Sequence, residues 1–231
     1  MRMAPYRTAD NKVDGALLTF VDVSSVVQGE ESVRLQVDAM TQRVHDLLTL
    51  AAELAIRTMR EVPAPEAFAE LYQRRVNALA QACSLMAHDA RGYAALSAVM
   101  LHELAPHAGE VLDRISLEGP AILLRPRGVL ALGVVVHALA SQSAHDGALS
   151  VPSGLVSIRW QIEETADGPN LRWTWIANGV PVTAEPYDPA LVELCVESQA
   201  QGRATIEEQN GSRRVTLTMK LDAVGNRTGG T

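Results

Sequence analysis

Histidine is the residue type in this chain whose spacing bears most directly on chemistry, and the sequence contains six. One of them, His45, is followed directly by a carboxylate in the string His45-Asp46-Leu47-Leu48. A neutral imidazole nitrogen is a nucleophile and a proton acceptor near neutral pH. His45 lies about 140° around the predicted helix from Met40, on its outer face, so we expect an exposed ring. The simpler interpretation is a solvated surface histidine.

The other histidines and the cysteines give weaker signals. Neither residue type occurs in pairs at zinc-ligand spacing, so no metal site is predicted. Cys83 and Cys195 stand in apolar helical contexts, which favours buried free thiols in a reducing compartment. Four further histidines show no partner pattern, and we expect surface or turn positions for them: His88, His102, His107 and His145.

Composition and charge exclude two classes of partner. The formal net charge is −7 and the pI is near 5.4, and an acidic chain without a basic stripe does not bind nucleic acid as its main partner. No apolar run reaches the roughly 18 residues of a membrane span, and the run at residues 128–140 predicts a buried helix. The N-terminus lacks the blocks of a signal peptide. We therefore predict a cytoplasmic protein without a membrane span.

A long helix must carry His45, because apolar residues recur at alternating spacings of four and three within residues 26–61. Such a heptad seam is typical of helices that pack on other helices. Pro63 and Pro65 end this helix, and a second helix at residues 66–88 completes an antiparallel hairpin. Two hairpins form a closed four-helix bundle, so we predict a homodimer; the alternative is that the seam packs on the C-terminal part of the same chain. The seam comprises Val33, Val37, Met40, Val44, Leu47, Ala51 and Leu54.

Short strands and helices alternate after residue 92, and the chain closes with a hairpin at residues 203–208 and 213–221. Asn210-Gly211 between them is a strong type I′ turn signal. Tryptophans on strands are typical of a sandwich core. We predict an α+β fold, with a helical-hairpin dimerisation domain followed by an α/β sandwich. The tryptophans are Trp160, Trp173 and Trp175; the predicted helices lie at residues 93–107, 127–143 and 188–199, and the other strands at 114–117, 121–124, 155–163 and 171–177.

Several strings in this order resemble the HWE subfamily of sensor histidine kinases. That family has a dimerising hairpin with the phosphoacceptor in an H-R-x-x-N string, then an ATPase-like sandwich with H-E-L-x-x-N, W-x-E-x-G-G-P and glycine-rich G-F-G strings. Here MTQRVHDLLTLAAELAIRT is similar to the first string, ALGVVVHALASQSAHDGALSVPSGLVSIRW to the ATP-binding helix and the next strand, and WTWIANGVPV to the tryptophan string. The resemblance covers about residues 30–222 and implies a GHKL-type ATPase fold in two-component signalling.

The resemblance puts the phosphoacceptor position at Gln42 and the family asparagine at Asp46. An amide is not a usable nucleophile, which excludes autophosphorylation at this position. In the ATP-binding helix the family glutamate, a base or orienter worth about 10²–10⁴ in rate, falls on Ala138. The family asparagine, whose carbonyl holds Mg²⁺ at about 2.1 Å, falls on Gln142. His137 matches the family, although a satisfied helix histidine is the simpler interpretation.

The later strings also depart from the family. Trp175 matches, but Ala177 replaces the glutamate and Gly179-Val180-Pro181 replaces Gly-Gly-Pro. The glycine-rich string aligns with Pro186-Tyr187-Asp188-Pro189, where side chains and prolines remove the free N–H groups of a phosphate loop. We predict that ATP and Mg²⁺ binding is lost and that no cofactor is bound. The degenerate remnants of the ATP site are His137, Gln142, Trp175, Gly179 and Pro181.

The first 25 residues, a polar turn and a strand at residues 16–23, resemble the end of a PAS sensor domain. Either the start codon is mis-assigned or the chain is a truncated relative. The predicted division is a PAS remnant and linker at residues 1–25, the hairpin at 26–91, the ATPase-like sandwich at 92–222 and a disordered tail at 223–231.

Three functions follow from these observations. The first is a pseudokinase homodimer that binds response-regulator receiver domains or partner histidine kinases. The second is an ATP-independent histidine phosphotransferase of a phosphorelay, since His45-Asp46 also resembles the H-D/E-L string of other kinases and phosphotransferases, with Asp46 as base. The third, a diverged active sensor kinase, is the least favoured.

Overall fold

The computed structural model describes residues 2–7, 9, 13–19, 24–62, 64–86, 92–108 and 113–227. It divides into two compact units, residues 1–42 and 43–231. Only the second unit contains the residues of the ATPase-like sandwich.

The first unit contains a two-stranded antiparallel sheet and the beginning of a long helix. Strands β1 (Arg2–Arg7) and β2 (Val13–Thr19) pair with Arg2 opposite Thr19. Helix α1 runs from Ser24 to Glu61 and continues into the second unit. A strand was predicted at residues 16–23 and is present as far as Thr19, with residues 20–23 outside the described part. Strand β1 was not predicted, because Pro5 interrupts its pattern.

The predicted helical hairpin is present. Helix α2 (Pro65–Met86) follows α1, with Pro65 at its first position, where a missing N–H costs nothing. The Tyr72 hydroxyl donates to the Ala51 carbonyl oxygen at 3.3 Å and so joins the two helices. Pro63, His88 and the junction at residues 87–91 lie outside the described residues.

Helix α2 also packs along the central helix of the C-terminal part, α4 (Pro126–His145). Gly133 of α4 makes this possible, because a Cβ at that position would lie 2.9 Å from the Cβ of Ala82. The hairpin from residue 43 onward and the sandwich belong to the same compact unit. The predicted domain boundary near residue 91 stays a prediction.

The C-terminal part is an α/β sandwich, and the whole chain has the predicted α+β class. Its main sheet has the order β4-β6-β7-β9-β8, in which β4 and β6 are parallel and the other pairs antiparallel. A small antiparallel sheet has the order β10-β5-β3. The strands are β3 (Ala94–Ala95), β4 (Ile115–Glu118), β5 (Ile122–Leu124), β6 (Leu155–Thr165), β7 (Gly168–Asn178), β8 (Arg203–Gln209), β9 (Ser212–Lys220) and β10 (Gly225–Arg227), and the other helices are α3 (Leu96–Ala108), α5 (Pro189–Ala200) and α6 (Leu221–Val224).

The core lies between the main sheet and helices α4 and α5. Trp173 and Trp175 are fully buried, which confirms the predicted role of the tryptophans. Trp160 is nearly so, and its Nε1 donates to the Pro120 carbonyl at 2.8 Å. The predicted type I′ turn is also confirmed, with φ of 52° at Asn210 and 73° at Gly211.

Helix α4 is long and apolar enough, by length and composition alone, to cross a membrane. However, 67% of its apolar window is buried inside the fold. This burial is typical of a core helix and agrees with the buried helix predicted at residues 128–140.

The predicted disordered tail is wrong for residues 223–227. Helix α6 and strand β10 occupy this stretch, and Gly225 pairs opposite Leu124 of β5. A Cβ at Gly225 would lie 2.4 Å from the Leu123 carbonyl oxygen. The glycine therefore permits a close strand contact, which composition alone could not distinguish from disorder. Residues 228–231 lie outside the described part.

Candidate functional site

A cleft of about 630 Å³ lies between α2, α4 and the segment that leads into α5. Its walls carry His137, Gln142 and His145 from α4, and Arg74 and Asn77 from α2. The third wall is formed by residues 185–188, which belong to a segment, residues 184–188, here called the strap. The cleft therefore stands at two of the strings that the family uses for nucleotide binding.

The strap is fastened to the C-terminal end of α4. The Gln142 side-chain nitrogen donates to the carbonyl oxygens of Glu185 at 2.7 Å and Pro186 at 2.8 Å. The Glu185 backbone N–H in turn donates to the Asp146 carboxylate at 2.6 Å. The NH₂ group of Gln142 is therefore used in holding the strap.

Tyr187 of the strap fills the space beneath the cleft. Its ring is buried, and its hydroxyl lies 3.1 Å from the Ser143 hydroxyl and accepts from Trp175 Nε1 at 3.1 Å. Burial raises the pKa of the Tyr187 phenol, although these two hydrogen bonds oppose the shift. Trp175, one of the predicted remnants of the ATP site, is thus hydrogen-bonded to a side chain of the protein itself.

Arg213 of β9 holds the strap from the sheet side. Its guanidinium donates to the carbonyl oxygens of Ala184 and Glu185. The same guanidinium lies 5.5 Å from the centre of the Tyr187 ring, at cation–π distance. The described strap is therefore bonded to both α4 and the sheet.

Arg75 of α2 joins the hairpin to the last residue of the strap. Its side chain is only 2% exposed, and it forms a bidentate pair with Asp188 at 2.7 and 2.8 Å. It also donates to Glu61 at 2.6 Å and to the Thr58 hydroxyl at 2.7 Å. Burial alone would lower the pKa of Arg75, but Asp188 and Glu61 outweigh burial and raise it above its ordinary value.

Asp188 serves two elements at once. Besides its pair with Arg75, its carboxylate accepts from the Leu191 N–H at 3.1 Å and so caps the N-terminus of α5. Pro189 follows at the first helical position, where proline is favoured. The start of α5 is therefore tied to the hairpin through a single carboxylate.

The remaining ATP-site positions do not line the cleft. Gly179 directly follows β7 with φ of 77°, and a Cβ there would lie 3.2 Å from the Cα of Gly154. Pro181 accepts from the Ala184 N–H at 3.0 Å in the turn that leads into the strap. Of the five predicted remnants, His137 and Gln142 line the cleft, while Trp175 reaches it only through Tyr187.

His137 has partners that the sequence did not reveal. Its Nδ1 lies 3.2 Å from a carboxylate oxygen of Glu103 and 3.5 Å from Nε2 of His107. His107 is half-buried against this ring, so the expectation of a surface or turn position is wrong for it. Within the described residues, no group of three histidine, cysteine or acidic side chains is arranged to hold a metal ion.

His45 lies on the exposed side of α1, away from the cleft. Asp46 pairs with Arg127 at the start of α4, with 3.4 Å between the Asp46 carboxylate and Arg127 Nε. Gln42, the family acceptor position, is exposed one turn earlier on the same helix. The roles assigned to His45 and Asp46 stay predictions.

Sequence reasoning missed the role of Arg75, which binds the last residue of the strap, and the role of Tyr187, whose buried hydroxyl bonds to Ser143 and Trp175. One signal for Arg75 was present, because it interrupts the apolar face of α2 one turn after Leu71 and one turn before Leu79. A cation on an apolar face needs an anionic partner, but spacing cannot identify a partner 113 residues away.

Comparison with known proteins connects this chain to histidine kinases. Residues 40–121 match the family HWE histidine kinase. The blue-light-activated histidine kinase of Brucella ovis is 26% identical over 165 residues, which cover 71% of this chain and 34% of that protein. This chain thus spans about a third of the length of the curated relatives that it matches.

Two solved structures are also similar. The histidine kinase domain of an Erythrobacter litoralis blue-light activated histidine kinase matches with a TM-score of 0.45 and 14% identity, over 76% of this chain and 96% of that one. The histidine kinase ThkA in complex with the response regulator TrrA matches with a TM-score of 0.40 and 13% identity, over 94% and 73%. The sequence matches confirm the similarity to HWE histidine kinases that the motifs indicated.

Proposed function

We propose that this chain is a two-component signalling protein that acts as a histidine kinase-like homodimer and does not phosphorylate itself. It binds response-regulator receiver domains or partner histidine kinases from the cytoplasm. The similarity to HWE histidine kinases supports two-component signalling. The loss of autophosphorylation is supported by the residues at the ATP-binding positions and by the residue at the phosphoacceptor position.

The observation that carries the proposal is the use of Gln142. At the position where the family asparagine holds Mg²⁺, both hydrogen bonds of the side-chain nitrogen go to strap carbonyls. Mg²⁺ requires near-ideal octahedral geometry at about 2.1 Å. A side chain that is one methylene longer and fixed toward the strap is poorly suited to this coordination.

The strap is equally poor as a phosphate cradle. The Glu185 N–H is already bonded to Asp146, and Pro186 has no N–H. No glycine occurs between residues 184 and 188, although glycine is what lets backbone N–H groups approach a phosphate closely. Gln42 at the acceptor position adds a second, independent loss.

Labelling with radioactive ATP tests the proposal, with Gln42→His as the informative variant. We expect no acid-labile phosphate on wild-type protein or on Gln42→His, because the nucleotide site is also lost. Labelling of wild type would refute the proposal. Labelling of Gln42→His alone would show that only the acceptor is missing, and would refute the loss of the ATP site.

An exposed apolar stripe on α1 supports the homodimer. Val33, Val37, Met40 and Val44 of the predicted seam are 48–66% exposed. Leu54, at the C-terminal end of the seam, is fully buried within the chain. The N-terminal part of the seam therefore offers an apolar surface that a second hairpin could cover.

Light scattering measures this association. We expect wild type to be a dimer and the double variant Met40→Glu, Val44→Glu to be a monomer. Leu35→Glu is the matched control, because Leu35 is equally exposed but lies about 160° away around the helix from Val37. A monomeric wild type, or a dimer that survives the double substitution, would contradict the homodimer.

The second candidate is an ATP-independent phosphotransferase, and the exposure of His45 beside Asp46 favours it. In this reaction the His45 ring nitrogen would attack a receiver aspartyl phosphate, forming a P–N bond while the receiver carboxylate leaves. A phosphorylated receiver domain is the assay, with His145→Ala as the control for another exposed histidine. Transfer that His45→Ala abolishes and His145→Ala leaves intact would support it; no transfer to wild type would reject it.

A further inference from the structure

Glu103, His107 and His137 form a cluster of titratable side chains where α3 packs on α4, outside the proposed signalling chemistry. Glu103 is a carboxylate with only 1% exposure. One of its oxygens lies 3.2 Å from His137 Nδ1, and the other, Oε1, has no hydrogen-bond partner among the described residues. Buried polar atoms are rarely left unpaired, so this cluster is poised to gain a proton or to rearrange.

The two rings meet at a single ring nitrogen of His137. His137 Nδ1 faces both the Glu103 carboxylate and His107 Nε2, the latter at 3.5 Å. When His137 Nδ1 carries the N–H, this group donates to the carboxylate, and His107 Nε2 faces the same N–H as an unprotonated nitrogen. The two rings meet edge to face, with 4.8 Å between their centres.

We propose that this cluster is a proton-sensitive latch, in which the last turn of α3 stays docked on α4 while His107 is neutral and is released when His107 takes up a proton. In the released state the His107 cation moves into solvent. His137 also lines the cleft between α2 and α4, so release changes one wall of that cleft. The inference does not depend on the proposed function.

Burial and the charges around His107 determine whether the docked state loses stability at low or at high pH. Burial lowers the pKa of His107, the neighbouring His137 lowers it further, and Glu103 offsets part of the shift. Cys83 of α2 lies beside this cluster. Burial and the charge of Glu103 raise the pKa of its thiol to about 11, so the thiol stays neutral. Arg74 of α2 and His145 of α4 line the same cleft as His137. Because the pKa of His107 is lower in the folded protein than in the unfolded chain, the docked state is most stable above about pH 6.5. It loses stability as the pH falls below this value.

Nuclear magnetic resonance titration of the histidine rings and amide hydrogen exchange test the latch on unmodified protein. We expect His107 to titrate below the ordinary histidine range. The opening measured at the amides of Leu104, Ala105 and His107, after correction for intrinsic exchange, should rise as the pH falls from about 7.5 to about 5.5. Each pH unit by which the His107 midpoint lies below its unfolded value corresponds to a change of about tenfold in the open-to-closed ratio.

Two variants keep the test specific. His107→Gln should abolish the pH-dependent part of the exchange, while His145→Gln, which removes an exposed histidine at the end of α4, should leave it unchanged. A His107 midpoint at or above the ordinary value would mean that Glu103 holds the cation, and would overturn the proposal. Equal exchange at both pH values in wild type would overturn it as well.

Discussion

The buried Arg75 offers the sharpest test of how the hairpin is held to the sandwich. Arg75→Met keeps most of the side-chain volume but removes the cation that pairs with Asp188 and Glu61. Breaking a fully buried pair from one side costs about 3–5 kcal/mol, because the remaining charge is left without a partner. Here the two carboxylates retain 24% and 35% exposure and can partly rehydrate. We therefore expect a loss of about 2–3 kcal/mol in the free energy of unfolding.

Urea denaturation and thermal unfolding measure this loss, and the expected decrease in Tm is about 4–12 °C for a chain of this size. Arg74→Met is the matched control. Arg74 is the adjacent residue, and its ion pair with Glu185 spans 3.8 Å between side chains that are both about 70% exposed. Surface pairs of this kind contribute about 0–1 kcal/mol. If Arg75→Met were no more destabilising than Arg74→Met, the Arg75 network would not hold the hairpin.

A double-mutant cycle separates the two roles of Asp188. Asp188→Asn keeps an oxygen that can accept from the Leu191 N–H but removes the charge that faces Arg75. Asp188→Ala removes both, and the difference between the two variants should be about 1 kcal/mol, the usual contribution of an N-cap. Once Arg75 is methionine, Asp188→Asn should cost less than in wild type, because the pair is already broken. Equal costs in both backgrounds would contradict a direct interaction.

Three further predictions concern the packing around the cleft. Tyr187→Phe should lower the free energy of unfolding in urea by about 1–3 kcal/mol, because Ser143 and Trp175 lose a buried partner; a loss no larger than that of Tyr72→Phe, whose hydroxyl bond is longer, would contradict this. Burial raises the pKa of Cys195 to about 12, so a disulfide reagent should react slowly with this thiol in the folded protein and fast in urea. Because the pKa of the unfolded thiol is about 9, the contribution of Cys195 to stability is complete below pH 9 and falls above it. Gly133→Val should destabilise by about 1–3 kcal/mol through overpacking of α2 against α4, and Ala82→Gly in the same chain should restore part of the loss measured by thermal unfolding.

The sequence predicted the elements well where periodicity or turn chemistry is strong. The heptad spacing predicted α1, and Asn210-Gly211 predicted the final hairpin, because both signals depend on neighbouring residues alone. Strand β3 was not predicted, because two alanines have no alternating pattern. The start of α3 was placed three residues too early, and β10 was not predicted, because β3 and β10 both form by pairing with the distant strand β5.

The candidate site was predicted only as a set of aligned positions. Motif comparison identified Gln142 and His137, both of which line the cleft. It could not show that Tyr187 reaches Ser143 and Trp175, or that Glu103 faces His137, since these contacts join elements whose relative placement is a property of the tertiary fold. Hydrophobic spacing specifies which residues are buried far better than it specifies their polar partners.

The two hydrogen bonds from Gln142 to the strap also constrain which residues this position accepts. Gln142→Asn would restore the residue type that the family uses, but the shorter side chain would retract from the Glu185 and Pro186 carbonyls. The strap would lose its donor before any metal ligand was gained. An asparagine at this position would therefore lower stability unless the strap changed with it, so the residue at position 142 and the sequence of the strap depend on each other.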